Sequence, residues 1–355
     1  MSNHFPVSLA EAQEYRSACY VGGATDLMPL FKNHVRDDQE LVFLTRIPEL
    51  HEVTVDESAV SIGAAVTLTE IAESAQLRKV LPAVCEAAAV VASPQIRNIA
   101  TLGGNIMQDR RCIYFNQSEH WRSALPLCFK TGGKVCHQIP NSPVCRAIYY
   151  SDMATALLMY DAEVVYLEGG KTVREPLADL IHRHSVANGL SCHEHLPIIV
   201  TQFIVPTPEK SERSGFHKYA MRTSIDFPII NFAVRCGGER GAKIFAGAVA
   251  LEPVELSKTA ELFASDASDD EVLDMCVQEL KALAKPIKEA CITPPRASTI
   301  CTSSSLPCWS CASKMTAKRT HPTGCVLFLC CFSRYRRLIS LAKVSAVRPR
   351  AASVL

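Results

Sequence analysis

Net charge is almost absent: 37 Lys and Arg stand against 36 Asp and Glu, leaving +1 over 355 residues. So neutral a chain carries no electrostatic footprint for nucleic acid or for a strongly acidic partner surface. Long apolar runs are missing too. Residues 80–92 and 244–251 are interrupted or too short to span a bilayer, so no membrane association is expected. The opening Met-Ser-Asn-His-Phe-Pro lacks a basic region followed by an apolar one, which argues against a secretory signal and for a cytoplasmic protein. There is no G-x-G-x-x-G, so a dinucleotide held in the Rossmann manner is not indicated. No repeat is evident, and no nucleophile stands in a pattern with a general base. Substrate chemistry is therefore not expected on this chain.

Cysteine, by contrast, is abundant at 16 residues. A reducing compartment excludes disulfides as the general explanation. Cys19, Cys85, Cys192, Cys236 and Cys276 are isolated and read as small buried apolar residues. Cys112, Cys128, Cys136 and Cys145 form a group of their own, and seven more crowd between Cys291 and Cys331.

At 355 residues the chain is too long for one core and is expected to divide into two or three domains. Residues 17–21 read as a strand running into Gly22-Gly23, and 26–35 have helical apolar spacing. Residues 41–46, 52–55 and 60–64 read as strands. Thr67 with Glu70 forms a capping box, and 83–92 is expected to be a buried helix. Residues 93–105 turn irregular. Between 107 and 150 no period is sustained, which marks an insertion with its own organiser. A helix at 152–161, strands at 163–167, 198–205 and 244–251, and a helix capped by Ser268 and Glu271 and running to about 284 complete the pattern. A polar boundary at 206–215 separates a smaller C-terminal module.

Two glycine pairs sit where backbone N–H groups can approach an anion: Val21-Gly22-Gly23-Ala24-Thr25-Asp26-Leu27 and Thr101-Leu102-Gly103-Gly104-Asn105. Such loops suit a diphosphate held from both sides, although most Gly-Gly pairs only serve turns. These two segments, the preceding Ser93-Pro94-Gln95-Ile96-Arg97-Asn98-Ile99-Ala100 and the later Ser151-Asp152-Met153-Ala154-Thr155-Ala156-Leu157 resemble the FAD-binding subunits of molybdenum hydroxylases, in the family's order. That family includes xanthine and carbon monoxide dehydrogenases. The resemblance implies an α+β fold: a two-subdomain FAD-binding domain, like those of the vanillyl-alcohol-oxidase group, over residues 1–210, and a small C-terminal α+β domain over 215–289. It implies that both glycine loops clasp the FAD pyrophosphate and that Asp152 lies near the flavin. Lys218 is a further candidate FAD contact and Asp226 a weaker one; a solvated or structural role fits either equally well.

The four middle cysteines follow C-x15-C-x7-C-x8-C. Four thiolates can close a zinc site or hold a [4Fe–4S] cluster. Structural zinc usually recruits cysteines in close pairs, which are missing here, and four unrelated free thiols remain the plain alternative. Arg111-Cys112-Ile113-Tyr114-Phe115-Asn116-Gln117-Ser118-Glu119, with Cys128, Val135-Cys136-His137 and Cys145, resembles the cluster-binding insertion of the 4-hydroxybenzoyl-CoA reductase branch of the family. On that resemblance each cysteine supplies one ligand to a [4Fe–4S] cluster and His137 supplies none. Electrons from a ferredoxin would pass through the cluster and FAD to a small [2Fe–2S] subunit and a large molybdenum-cofactor subunit, which removes the phenolic hydroxyl of 4-hydroxybenzoyl-CoA. The rivals are another dehydrogenase of the family, a stand-alone flavoprotein and a zinc-stabilised scaffold.

After Glu289 the remaining 66 residues contain ten Lys or Arg and no acid. The resemblance stops there, where the family continues with a basic amphipathic helix. A frameshifted translation is the favoured reading and a basic binding tail the other.

Overall fold

The computed structural model describes residues 2–190, 196–222 and 225–284. Apolar residues with β-branched neighbours build three sheets. The first is parallel, in the order β1 (Ser2–His4), β3 (Glu40–Phe43), β2 (Cys19–Val21), with Leu41 and Val42 fully buried at its centre. Parallel neighbours need a crossover, and the Leu27–Lys32 helix lies on the one from β2 to β3. The second sheet is antiparallel: β4 (Val53–Val55), β5 (Ala59–Gly63), β8 (Ile198–Pro206), β6 (Glu163–Glu168), β7 (Lys171–Pro176). Its central pairing sets Ile62 opposite Phe203; after β5 the chain leaves the sheet and returns at β6, so that β6 and β7 precede β8. The third is a meander of β9 (Arg213–Tyr219), β10 (Ile230–Cys236), β11 (Lys243–Gly247) and β12 (Val254–Glu255).

The largest core joins the second sheet to the Pro82–Ala89 and Asp152–Met159 helices. Phe216, Ala233 and Phe245 of the third sheet belong to that same core. The sheet's other side packs on helices Ser257–Ala264 and Asp269–Leu283 through Val272, Cys276 and Leu280. The C-terminal sheet thus shares apolar packing with the preceding fold on one face and keeps a core of its own on the other. No helix among the described residues is long and apolar enough to cross a membrane.

Both capping boxes form, at Thr67–Glu70 and Ser268–Glu271. Several boundaries move. The strand expected over 41–46 ends at Phe43, and Leu44–Arg46 is a 3-10 turn. The one expected over 244–251 ends at Gly247, because Ala248 takes a left-handed φ of +65°. The helix expected over 26–35 spans Leu27–Lys32, with His34 left-handed just beyond it. The irregular stretch 93–105 contains two short helices, Pro94–Arg97 and Leu102–Ile106, capped by Ser93 and Thr101. Strands β7 and β9 and the Leu177–Leu190 helix carried no clear period; the helix buries His184, Ser185 and Asn188 where apolar residues would have revealed it.

The stretch 107–150 closes on a neck in which Arg111 and Ile148 exchange backbone hydrogen bonds of 2.8 and 2.9 Å. Inside it are one short helix, Glu119–Arg122, and one 3-10 turn, Phe129–Thr131. Phe115 packs against Leu30 and Val35 outside the neck. Cys192 and the acid-free tail lie outside the described residues.

Candidate cofactor site

β2 delivers Val21 to a turn in which Ala24 adopts φ +58°. The two glycine loops touch there. A Cβ on Gly23 would stand 1.9 Å from Ile99 O, and one on Gly22 would stand 2.3 Å from Thr101 Oγ1. No side chain fits between the loops, which is why both positions need glycine. Among the described residues, the amides of Gly23, Ala24, Thr25 and Asp26 donate to no protein acceptor. Consecutive unclaimed N–H groups at such a turn form an anion-binding concavity. The second loop differs: Leu102 N–H donates to Val66 O, Gly103 N–H to Ala64 O, Gly104 N–H to Thr101 Oγ1 and Asn105 N–H to Thr101 O, at 2.8–3.2 Å. Its amides are engaged within the protein, and its Thr101 hydroxyl lies against Gly22 of the first loop.

Leu27 packs into the small core under β2, and Asp26 stands at the helix N-cap without a side-chain capping bond. Its carboxylate is held instead by the Arg111 guanidinium, which also lies 5.0 Å from the Phe227 ring centroid. Arg111 thereby ties the neck of the cysteine stretch to the first glycine loop. Asn105 Oδ1 accepts from Ser151 Oγ at 2.7 Å, and Ser151 caps the helix that begins with Asp152. All three sequence motifs are therefore contiguous.

Asp152 is 3% exposed. Sheet register sets Lys218 of β9 beside Asn231 of β10, and both reach the same carboxylate: Lys218 Nζ at 2.9 Å from Oδ2, Asn231 Nδ2 at 2.6 Å from Oδ1. Burial pushes the Asp152 carboxyl above the ordinary range, while Lys218 and Asn231 pull it back. The two candidate flavin contacts are thus each other's partners. Asp226 receives the amides of Arg222 and Phe227 at 3.0 Å, so its carboxylate fastens its own turn.

Cys112, Cys128, Cys136 and Cys145 line one small pocket that opens to solvent. Gln138 Nε2 donates to Cys112 Sγ and Thr131 Oγ1 to Cys128 Sγ, both at 3.6 Å. Burial raises the Cys112 thiol. Among the described residues no three His, Cys, Asp or Glu side chains converge to hold a single metal ion. His137 shares the lining, but its Nε2 lies 2.8 Å from Pro126 O.

Sequence reasoning missed Arg111, Asn231 and the buried polar residues behind the cysteines. The Arg110-Arg111 pair directly before Cys112 was the available signal for the first. Asn231 lies in an apolar strand, where nothing local marks it.

Residues 2–208 match the family described as the FAD binding domain in molybdopterin dehydrogenase. A xanthine dehydrogenase FAD-binding subunit of Escherichia coli O157:H7 is 27% identical over 245 residues, covering 68% of this chain and 70% of the relative. The aldehyde oxidoreductase FAD-binding subunit PaoB of Escherichia coli K12 is 27% identical over 293 residues, covering 78% of this chain and 87% of the relative. Among solved structures, a chain of carbon monoxide dehydrogenase from Hydrogenophaga pseudoflava superposes with a TM-score of 0.60 at 19% identity. That alignment covers 81% of this chain and 88% of the other.

Proposed function

This chain belongs to the FAD-binding-domain family of molybdopterin dehydrogenases, and from that premise we propose that it is the electron-relay subunit of a molybdenum oxidoreductase complex, carrying FAD and a [4Fe–4S] cluster. The observation that carries the cluster is the convergence of four widely spaced cysteines on one pocket without a single-ion site. A cubane needs separated thiolates around a larger object, whereas zinc draws its ligands to a point. Cys112, Cys128, Cys136 and Cys145 each supply one thiolate.

The free amides of Gly23–Asp26 receive the FAD pyrophosphate, and the second glycine loop holds their geometry by filling the space behind them. Arg111 fixes Asp26 and couples this loop to the neck of the cysteine stretch. The Asp152–Lys218 pair fastens the helix beside the second glycine loop to the C-terminal sheet. When bound, flavin exchanges one or two electrons and so mediates between iron–sulfur centres; the protein sets distance, orientation and electrostatics.

The finer reading is the reductive dehydroxylation of 4-hydroxybenzoyl-CoA in the cytoplasm. A ferredoxin is the donor, and a small [2Fe–2S] subunit and a large molybdenum-cofactor subunit are the partners. What supports this branch is the cysteine spacing. The named relatives support a second reading, a dehydrogenase of the xanthine or aldehyde type. Anaerobic purification of the full chain, with iron and flavin quantified and a visible spectrum recorded, separates these. Flavin with iron and acid-labile sulfide supports the first reading, flavin without iron leaves the second, and zinc without flavin overturns both.

A further inference from the structure

Gln138 stands two residues after Cys136 and is 1% exposed. Its Nε2 donates to Cys112 Sγ, 26 positions earlier, at 3.6 Å. Its Oε1 is buried and accepts from nothing among the described residues. Cys112 is otherwise fixed through its backbone. Its N–H donates to Asn116 Oδ1 at 2.8 Å, and its carbonyl accepts from the Asn116 amide at 2.9 Å. Phe115, Leu30 and Val35 pack beside it. Gln138 is the side chain that reaches the sulfur. At Cys128 the arrangement differs: Thr131 Oγ1 also lies 3.6 Å from the sulfur, but its single proton has a nearer acceptor in Cys128 O at 3.1 Å.

Burying a side-chain amide with its oxygen unpaired is unfavourable. A neutral thiol is a weak acceptor and offsets little of that cost. A thiolate offsets more, because hydrogen bonds to an ionised partner are roughly twice as strong. A sulfur bound to iron can only accept, which matches the N–H that Gln138 presents. We propose that Gln138 is a positioning residue for the four-cysteine centre: its amide donates to the ligating sulfur of Cys112 and favours the reduced state by stabilising the negative charge gained on reduction. This rests on the reading of the four cysteines as ligands of a [4Fe–4S] cluster. The step concerned is the transfer of one electron from a one-electron reductant into the centre; no bond forms or breaks and no proton moves. Hydrogen bonds to the sulfurs are among the levers that set such potentials. The contact is direct, so its effect does not require the pocket mouth to exclude water.

The test is a redox titration of the full chain, purified anaerobically, with dithionite as reductant and electron paramagnetic resonance as readout. Gln138→Met keeps the length of the side chain and removes the donor. It is expected to disfavour reduction three- to tenfold, a midpoint ~28–59 mV more negative for a one-electron couple. After exchange into deuterium oxide, electron–nuclear double resonance of the reduced centre should show an exchangeable deuteron in the wild type that Gln138→Met loses. An iron-loaded Gln138→Met chain with the wild-type midpoint would overturn the inference. A shifted midpoint with the deuteron coupling unchanged would trace to packing and overturn it equally. Should Gln138→Met fail to hold iron, the wild type decides: an exchangeable deuteron coupled to its reduced centre supports the inference, and none overturns it. A wild-type chain without iron or sulfide refutes the cluster reading itself, and the inference with it.

Discussion

Replacing Gly23 by alanine tests the flavin site most directly. The added Cβ would stand 1.9 Å from Ile99 O, 2.6 Å from Ile99 C and 3.1 Å from Ala100 Cα. All three are backbone atoms, so no rotamer change relieves the overlap. Restoring ordinary contact requires the two loops to part by roughly an ångström. Overpacking of this kind costs about 1–3 kcal/mol, and more where the backbone must move. Because the four free amides belong to the displaced loop, most of that cost should fall on FAD binding, weakening it about 10- to 100-fold. Fluorescence titration of the flavin-free chain with FAD measures this, and circular dichroism on heating reports the fold. Gly170→Ala is the control: nothing lies within 4 Å of its Cβ, but φ is +82°, so it strains the backbone away from the site. Gly22→Ala offers a second check. Its close contact is the Thr101 hydroxyl at 2.3 Å, so Thr101→Ala should relieve part of the defect, seen as favourable coupling in a double-mutant cycle. A Gly23→Ala chain that binds FAD like the wild type would refute the assignment of these loops.

Cys128→Ser should abolish most of the bound iron while leaving flavin absorbance intact; unchanged iron content would mean that Cys128 is not a ligand. Lys218→Met leaves Asp152 buried without its cation and should destabilise the chain by about 3–5 kcal/mol, measured by urea unfolding. Since burial already raises the Asp152 carboxyl, protonation relieves the orphaned charge, so this loss should be larger at pH 8 than at pH 5. Asp161 fastens the end of the Asp152–Met159 helix to Arg235 of β10 and Lys243 of β11. Its burial alone would raise the carboxyl, but Lys243 and Arg235 outweigh that and hold it below 3.8. A depressed carboxylate contributes stability above its unfolded pKa and loses it as pH falls through the folded one. Asp161→Asn tolerates the left-handed φ of +62° and should cost about 0.5–1 kcal/mol at neutral pH, a modest figure because the Asp161 carboxylate is itself partly exposed although Arg235 is buried. The deficit should shrink below pH 3.8 in acid unfolding, and a constant deficit would point to packing instead of charge.

The sequence by itself determined what depends on near neighbours. Thr67 reaches Glu70 and Ser268 reaches Glu271 within one helical turn, so those caps were legible before any fold was known. The glycine pairs were legible as places for close backbone approach, and the four cysteines between 112 and 145 as a group of their own, which the structure sets around one pocket. Strand β9 and the Leu177–Leu190 helix were not: β9 buries only Gly215 and Phe216, too few to show a period, and half of the helix's buried positions are the polar His184, Ser185 and Asn188. Only the tertiary structure decided that Lys218 meets Asp152 across 66 positions and Arg111 meets Asp26 across 85. It also decided that the two glycine loops are unequal. Both carry a glycine pair, but the second spends its amides on Ala64, Val66 and Thr101, while the first keeps four in reserve. Which donors are left over depends on what packs behind them, and packing is a property of chain segments far apart in sequence.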